Sequence, residues 1–452
     1  MLRKLWIELR SSLWFVPGLL VLVAVGLALG LVQLDLVYAD ALRAKAWKPL
    51  FNASAEGARG MLTAIASSMI TVAAMAFSIT IVTLSLASTQ YTPRILRNFM
   101  RDRANQFVLG IFVAIFTYCL IVLRTIRSGS ERDGTAFVPL LSVALGMLLA
   151  LLSIGCLIFF IHHVAASIQA SYILQVITGE TLTAIEVLFP EKADADGESA
   201  QAAQARRECE WHPVASHANG YIQHLDSAAL LRFACEHDTV LLIEREPGDF
   251  ALEGAPLVCA SCPLDDAAAA ALRAHFAIGD FRTVDQDAGF GIRQIVDIAL
   301  KALSPGVNDT STAVSCLDYL SAILCRLATR RLEPAFCEND GELRVITPAP
   351  DFGALVARCL DEIRLSAAGN VTILLKMLGV LQRVAGATRS TTRREALLRH
   401  ARLVAEAADH SAPAAYDRER ISVRIESLRV ALDAEVEGLP PLSPSRGVEP
   451  WT

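Results

Sequence analysis

The chain has 452 residues and a mean hydropathy of +0.42, and 53% of its residues are hydrophobic, which is too apolar for a soluble protein of this length. Its net charge of −6 gives no reason to expect nucleic acid as a partner. The ten cysteines have no framework spacing, which favours a reducing compartment over a disulfide scaffold. Cys259 and Cys262 form a lone CxxC pair, so we expect no metal site.

The first hydrophobic stretch covers residues 11–34 and lies between Arg10 and Asp35. About 20 apolar residues suffice to cross a membrane as a helix, so this stretch predicts a transmembrane span. Its apolar run is too long for a signal peptide, so we expect a retained anchor.

The second span is predicted at residues 60–90. The uncharged stretch from Gly60 to Pro93 would be about 50 Å long as a helix, against a hydrocarbon core of about 30 Å. Five hydroxyl residues recur along it at spacings of four and seven, which places them on one helical face: Ser67, Thr71, Ser78, Ser85 and Thr89. Such a face either packs closely against another helix or lines a water-filled path.

The third and fourth spans are predicted at residues 104–123 and 137–161, which completes a transmembrane domain of four helices over residues 1–165. The four apolar runs contain no Asp, Glu, His or Arg. Transporters that are coupled to protons or sodium need such groups inside the membrane. The pattern therefore indicates a passive pore or a non-conducting membrane protein.

The orientation is not decided by the positive-inside rule, because Lys and Arg are equally numerous in the segments on the two sides. Four arginines lie close together in the second loop, and eight of the ten cysteines follow the fourth span. Both observations favour cytoplasmic N- and C-termini.

The rest of the chain predicts an α+β soluble domain. We expect a helical extension and charged linker over residues 166–210, a small β-rich part over 211–285, a helical part over 286–436 and a disordered tail over 437–452. The sequence PGDFALEGAPL, from Pro247, is similar to the turn of lipoyl-type and barrel-sandwich domains, so the β-rich part is predicted to be barrel-like. No lysine stands at the lipoyl position.

Two features of the helical part have functional interpretations. The polar residues Arg293, Asp297, Asn308 and Asp309 are candidates for one site, although helix capping and ion pairing explain them as well. The last predicted helix carries Ile421, Ile425, Leu428 and Leu432 on one stripe, which we expect to be covered by another subunit.

Several motifs resemble a known family. The segments SxxQYTPRILRNFMRD from Ser88, GYIQHLD from Gly220, PGDF from Pro247 and FGIRQIVDIALKALSPGVNDTSTA from Phe290 are similar to a family of predicted bacterial membrane proteins, domain of unknown function 2254. The resemblance extends from about Trp6 to about Leu403, and Thr310 departs from it where we associate the family with proline. It implies four spans followed by a large soluble part in a bacterial inner-membrane protein, and it implies no activity.

The functional prediction follows from the uncharged helices that the sequence has and the catalytic motifs that it lacks. No GxSxG, HExxH or Walker A motif occurs, so we expect neither an enzyme nor a cofactor. Four uncharged helices are too few to enclose a pore, so the pore hypothesis needs a homo-oligomer in the bilayer, lined by the second helix. Three arginines would form rings of positive charge at its cytoplasmic mouth and favour anions: Arg94, Arg97 and Arg101. The alternative is a non-conducting scaffold or sensor whose cytosolic domain binds a partner or ligand.

Overall fold

The computed structural model describes residues 14–37, 54–90, 102–127, 137–189, 209–332, 336–339, 342–348, 350–367, 369–411 and 414–432. The chain divides into two compact units, Met1–Tyr172 and Ile173–Thr452. Three groups of predicted features lie outside the described residues: Arg94, Arg97 and Arg101, most of the charged linker, and the tail.

The described part of the first unit is formed by long apolar helices: α1 (Phe15–Val37), α2 (Ala55–Gln90), α3 (Arg103–Thr125) and α4 (Leu140–Ser167). A helix satisfies every backbone hydrogen bond internally, which an apolar segment in lipid requires. Helix α4 runs antiparallel to α1 and α3, because Asp35 near the end of α1 contacts Leu141 at the start of α4, and Asp102 before α3 contacts His163 near the end of α4.

Small residues form much of the interior of this unit. Ala28 and Ala58 are fully buried, whereas Leu22 and Leu151 are exposed. At Gly110 a Cβ atom would lie 2.9 Å from the Cα atom of Pro17, so α1 and α3 approach closely only because residue 110 is glycine. Close approach of helix backbones is the usual basis of packing in lipid, where burying leucine gains little.

Five described helices are long and apolar enough to cross a membrane by length and composition: α1, α2, α3, α4 and Thr310–Ala328 of the second unit. The last of these packs against other helices of its unit, and its Asp318 pairs with Lys376 and Arg383. The count of four spans therefore stays a prediction.

In the residues that the structure describes, the second unit begins within α5 (Ala170–Leu188) and continues with two short helices, eight strands and a helical part. The strands are β1 (His212–Ala215), β2 (Gly220–Leu225), β3 (Leu241–Ile243), β4 (Phe250–Ala251), β5 (Pro256–Ala260), β6 (Phe276–Gly279), β7 (Phe336–Asn339) and β8 (Glu342–Ile346). The short helices are α6 (Ser227–Glu236) and α7 (Asp266–Arg273).

The described strands form two sheets, in the orders β1-β5-β3-β8-β7 and β4-β2-β6. The barrel-like arrangement is thus not confirmed, although the PGDF turn does lead into β4. The resemblance was local, whereas the larger sheet is completed by β8, which pairs in parallel with β3 from about 100 residues further along the chain.

The helical part contains α8 (Ala288–Leu303), α9 (Thr310–Ala328), α10 (Phe352–Ser366), α11 (Val371–Ala387), α12 (Thr391–Ser411) and α13 (Ala415–Ala431). Helix α13 packs against α11 and α12. The stripe of Ile421, Ile425, Leu428 and Leu432 is consequently buried within the chain, and the expectation that another subunit covers it is wrong. Amphipathic spacing shows that a face is covered, but it does not show by what.

Candidate functional site

The five hydroxyl residues of α2 lie on the side of the helix that faces away from its own bundle, and all are exposed. Four of these hydroxyl residues each have a buried residue of α2 nine positions earlier in the chain. Nine residues are two and a half helical turns, so each such pair points in opposite directions. The pairs are Ala58 with Ser67, Leu62 with Thr71, Met69 with Ser78, and Ala76 with Ser85.

The hydroxyls on this stripe differ in their hydrogen bonding. Thr71 donates to the carbonyl of Ser67 at 2.8 Å, and Thr89 donates to the carbonyl of Ser85 at 3.1 Å, so the two threonines are satisfied within the helix. The hydroxyls of Ser67, Ser78 and Ser85 make no hydrogen bond to any other described residue. Each of the three therefore needs water, lipid headgroups or another chain as a partner.

An acidic residue that the sequence placed at the boundary of the first span is buried inside the first unit. Asp35 is 2% exposed, and its carboxylate accepts hydrogen bonds from the backbone N–H of Leu141 at 2.9 Å, the N–H of Ser142 at 3.0 Å and the hydroxyl of Ser142 at 2.7 Å. It caps the amino end of α4 from another helix, where the positive end of the helix dipole favours a carboxylate. Sequence reasoning took it as the end of an apolar run, and no local signal identifies its partner.

The four polar residues proposed as one cluster in the second unit do not come together. Arg293 lies in the second turn of α8 and pairs with Asp297 at 2.7 Å, whereas Asp309 follows the end of that helix. Asp309 caps α9 by accepting hydrogen bonds from the N–H and hydroxyl of Thr312, and these bonds hold its pKa below the usual value. About 15 Å of helix lies between Arg293 and the end of α8, so capping and pairing were the right explanations.

Arg293 instead belongs to a charged pocket of about 270 Å³ in the second unit. The pocket is formed by the turn before β4, the start of α8 and one face of α10. Its lining includes three arginines and four carboxylates: Arg282, Arg293, Arg358, Glu246, Asp249, Asp287 and Glu362. Two of the motifs on which the family resemblance was based, PGDF and FGIR, supply residues to it.

One wall of the pocket is fixed by Asp287. Its carboxylate caps α8 by accepting from the N–H of Phe290 at 2.9 Å, and it accepts from Nε and a terminal nitrogen of Arg282 at 2.8 and 2.6 Å. Burial raises the pKa of Asp287, and Arg282 opposes that shift. Gly248 packs onto this carboxylate with φ of +96°, and a Cβ atom there would lie 2.1 Å from Oδ2, so only glycine fits.

Two charged side chains of the pocket form no ion pair with another described residue. Among the described residues, Arg358 makes no ion pair, although its guanidinium lies beside Gly289, where a Cβ atom would be 2.9 Å from it. Glu246 is half-buried, and burial followed by the charge of Asp249 raises its pKa. Arg293 is paired with Asp297 and Glu362, so Arg358 and Glu246 are the groups that the pocket offers to a ligand.

A resident metal ion has no ready set of ligands in the part of the chain that is described, since no group of three or more His, Cys, Asp or Glu side chains is placed to hold one. The pocket has carboxylates, but its lining also includes three arginines. Sequence reasoning missed this pocket because Arg358 and Glu362 stand in an ordinary amphipathic helix, where nothing marks them as partners of a turn about 110 residues earlier.

Comparison with known proteins agrees with the apolar helices of the first unit. The family described as "Predicted membrane protein (DUF2254)" matches residues 10–383. The chain belongs to this family. It is also 32% identical over 421 residues to Uncharacterized protein MT1328 of Mycobacterium tuberculosis (strain CDC 1551 / Oshkosh). The matched residues cover 91% of this chain and 79% of that protein.

Uncharacterized protein Mb1321c of Mycobacterium bovis (strain ATCC BAA-935 / AF2122/97) is similar to the chain with the same identity and coverage. No solved structure matches the chain. The family match thus identifies the chain as a predicted membrane protein, as the sequence motifs indicated. The names of the family and of the mycobacterial relatives assign no activity.

Proposed function

We propose that the chain is the subunit of a homo-oligomeric, channel-like protein of the bacterial inner membrane, with four spans and both termini in the cytoplasm. In this proposal, helix α2 lines a passive water-filled pathway, and no catalytic step or cofactor takes part. The observation that carries the proposal is the position of the hydroxyl stripe on the outer face of α2, opposite the face that packs into its own bundle.

The physical argument rests on the three serines of the stripe. A hydroxyl without a hydrogen-bond partner is costly in hydrocarbon, at about 1–3 kcal/mol by mutational measures. Ser67, Ser78 and Ser85 find no partner within the described chain. Several copies of α2 around a common axis would place all three against water, which removes that cost.

The buried carboxylate in the first unit does not favour coupled transport instead. An ion-binding carboxylate needs free acceptor positions that face the transport path. Asp35 is buried, and its two oxygens already accept three hydrogen bonds from Leu141 and Ser142. A passive pathway is therefore the simpler function for these helices.

The direct test is conductance of the purified full-length protein in planar bilayers, combined with thiol modification. Ser78→Cys lies on the stripe and Phe77→Cys lies beside it on a side of the helix that bears large apolar residues. We expect a charged methanethiosulfonate reagent to change the conductance of Ser78→Cys and to leave Phe77→Cys like the parent. An equal response of the two variants would remove α2 from the lining, and a parent protein that does not conduct would end the proposal.

The preference for anions is a finer part of the same proposal. It rests on the spacing of Arg94, Arg97 and Arg101 in the sequence. Arg94→Glu combined with Arg97→Glu should move the reversal potential in a salt gradient towards cations. Unchanged selectivity in a conducting double variant would show that these arginines do not face the pathway.

A second candidate function is favoured by the charged pocket. In this alternative the chain is a non-conducting scaffold or sensor, and the pocket binds a small ligand whose anionic group meets Arg358. Calorimetric titration with inorganic phosphate and citrate is the first test. Binding that is lost in Arg358→Ala and kept in Arg389→Ala, an exposed arginine outside the pocket, would support this alternative. Absence of binding together with conductance would favour the pore.

A further inference from the structure

A groove of about 940 Å³ lies between α1, α3 and α4 in the first unit. Its walls are almost wholly aliphatic and aromatic, and Phe107 and Phe159 on them are about half exposed. No side chain reaches the space beside Gly155, where a Cβ atom would find nothing within 4 Å. The groove is thus a surface cleft among apolar helices and does not belong to the stripe on α2.

The length of the groove matches a lipid chain. Its lining on α3 runs from Arg103 to Tyr118, which is about 22 Å along a helix axis. The hydrocarbon core of a bilayer is about 30 Å thick, so a groove of this length is longer than one leaflet and reaches past the midplane of the bilayer. A long, apolar cleft of this length suits an acyl chain that lies parallel to the helices.

One end of the groove carries a positive charge. Arg103 is the charged residue among those that line it, and it is exposed. The neighbouring carboxylate of Asp102 is already engaged, because it accepts from the N–H of Ala104 at 2.9 Å and contacts Nε2 of His163 at 2.5 Å. Among the described residues Arg103 forms no ion pair, so its guanidinium stands at the groove end without a counter-ion.

We propose that this groove is a binding site for one anionic phospholipid, with an acyl chain between α1, α3 and α4 and the phosphate held by Arg103. A guanidinium binds phosphate oxygens through two parallel N–H donors, and basic sites between transmembrane helices bind anionic headgroups. A zwitterionic lipid carries its own cation beside the phosphate, so it gains less from the arginine. The site is independent of whether the protein conducts.

Lipid retention by the full-length protein tests the proposal. The purified and delipidated chain is titrated with phosphatidylglycerol and, separately, with phosphatidylcholine of the same acyl chains, and bound lipid is counted by native mass spectrometry. We expect one phosphatidylglycerol per chain, bound about tenfold more tightly than phosphatidylcholine, which corresponds to about 1.4 kcal/mol. Arg103→Ala should remove this preference, and Arg103→Lys should keep part of it.

Two further variants locate the lipid. Arg124→Ala changes an exposed arginine at the opposite end of α3, outside the groove, and should bind lipid like the parent. Gly155→Leu adds a side chain in the open space of the groove and should reduce the retention of both lipids while the protein elutes and melts like the parent. Equal binding of the two lipids by the parent would overturn the proposal. So would unchanged retention in Gly155→Leu, or a lipid-free dimer whose second copy fills the groove.

Discussion

The first unit and the helical part of the second unit both bury large apolar side chains, but they differ in what their surfaces expose. In α1 to α4 the exposed side chains include Leu22, Leu151 and Ile158, and alanines are buried. In α8 to α13 most leucines, isoleucines and valines are inside, and ion pairs such as Lys376–Asp318 lie at the surface. Burial of large apolar groups drives folding in water, whereas helices in lipid are held by close packing and polar contacts.

The largest expected effect comes from the buried stripe on α13. Leu428→Ala removes a fully buried side chain between α13 and its neighbours and should lower the free energy of unfolding of the second unit by about 2–5 kcal/mol. Denaturant titration of the full-length protein in detergent measures it. Val430→Ala, at an exposed position, should be close to neutral. If the decrease in the free energy of unfolding depended on protein concentration, the stripe would belong to a subunit interface after all.

A polar contact should dominate in the first unit. Asp35→Ala leaves the donors of Leu141 and Ser142 unsatisfied in a buried site, and we expect a loss of about 2–3 kcal/mol. Asp35→Asn keeps an acceptor and should lose less. Thermal unfolding in detergent measures both variants. If Asp35→Ala melted like the parent, the contrast between polar contacts in one unit and apolar burial in the other would fail.

Close packing of small residues is tested at two glycines in the same pair of helices. Gly110→Ala places a Cβ atom 2.9 Å from the backbone of Pro17 and should destabilise the first unit by about 1–3 kcal/mol. Gly26→Ala meets nothing within 4 Å and should be neutral or slightly stabilising. Similar melting temperatures for the two variants would show that α1 and α3 tolerate separation.

The smallest effect concerns the charged pocket. Burial raises the pKa of Glu246 from its ordinary value of 4.5, so the folded chain holds this proton more tightly than the unfolded chain does. Glu246 therefore stabilises the fold below pH 4.5, and this contribution disappears as the pH rises through the folded-state pKa. Glu246→Gln should melt slightly higher than the parent at pH 7 and show no such gain at pH 4. A gain of equal size at both pH values would show that ionisation of Glu246 is not its cause.

Local patterns were sufficient for several features of the chain. Uncharged apolar runs located the helices of the first unit, because lipid-facing side chains must be apolar along a whole segment. The capping residue Asp309 was visible beside its helix, since an N-cap bonds to a residue only three positions away. The family resemblance rested on contiguous motifs in the same way.

The sequence by itself determined that the chain is a predicted membrane protein, that hydroxyls share one face of its long helix, and to which family it belongs. All three depend on residues that are close together along the chain. Only the tertiary structure decided that Asp35 caps a helix 106 residues away, that β8 joins β3, that α11 and α12 cover the stripe of α13, and that Arg358 meets the turn at Gly248 in one pocket. Such contacts are chosen by how whole elements pack, and spacing within one element carries no record of its partner.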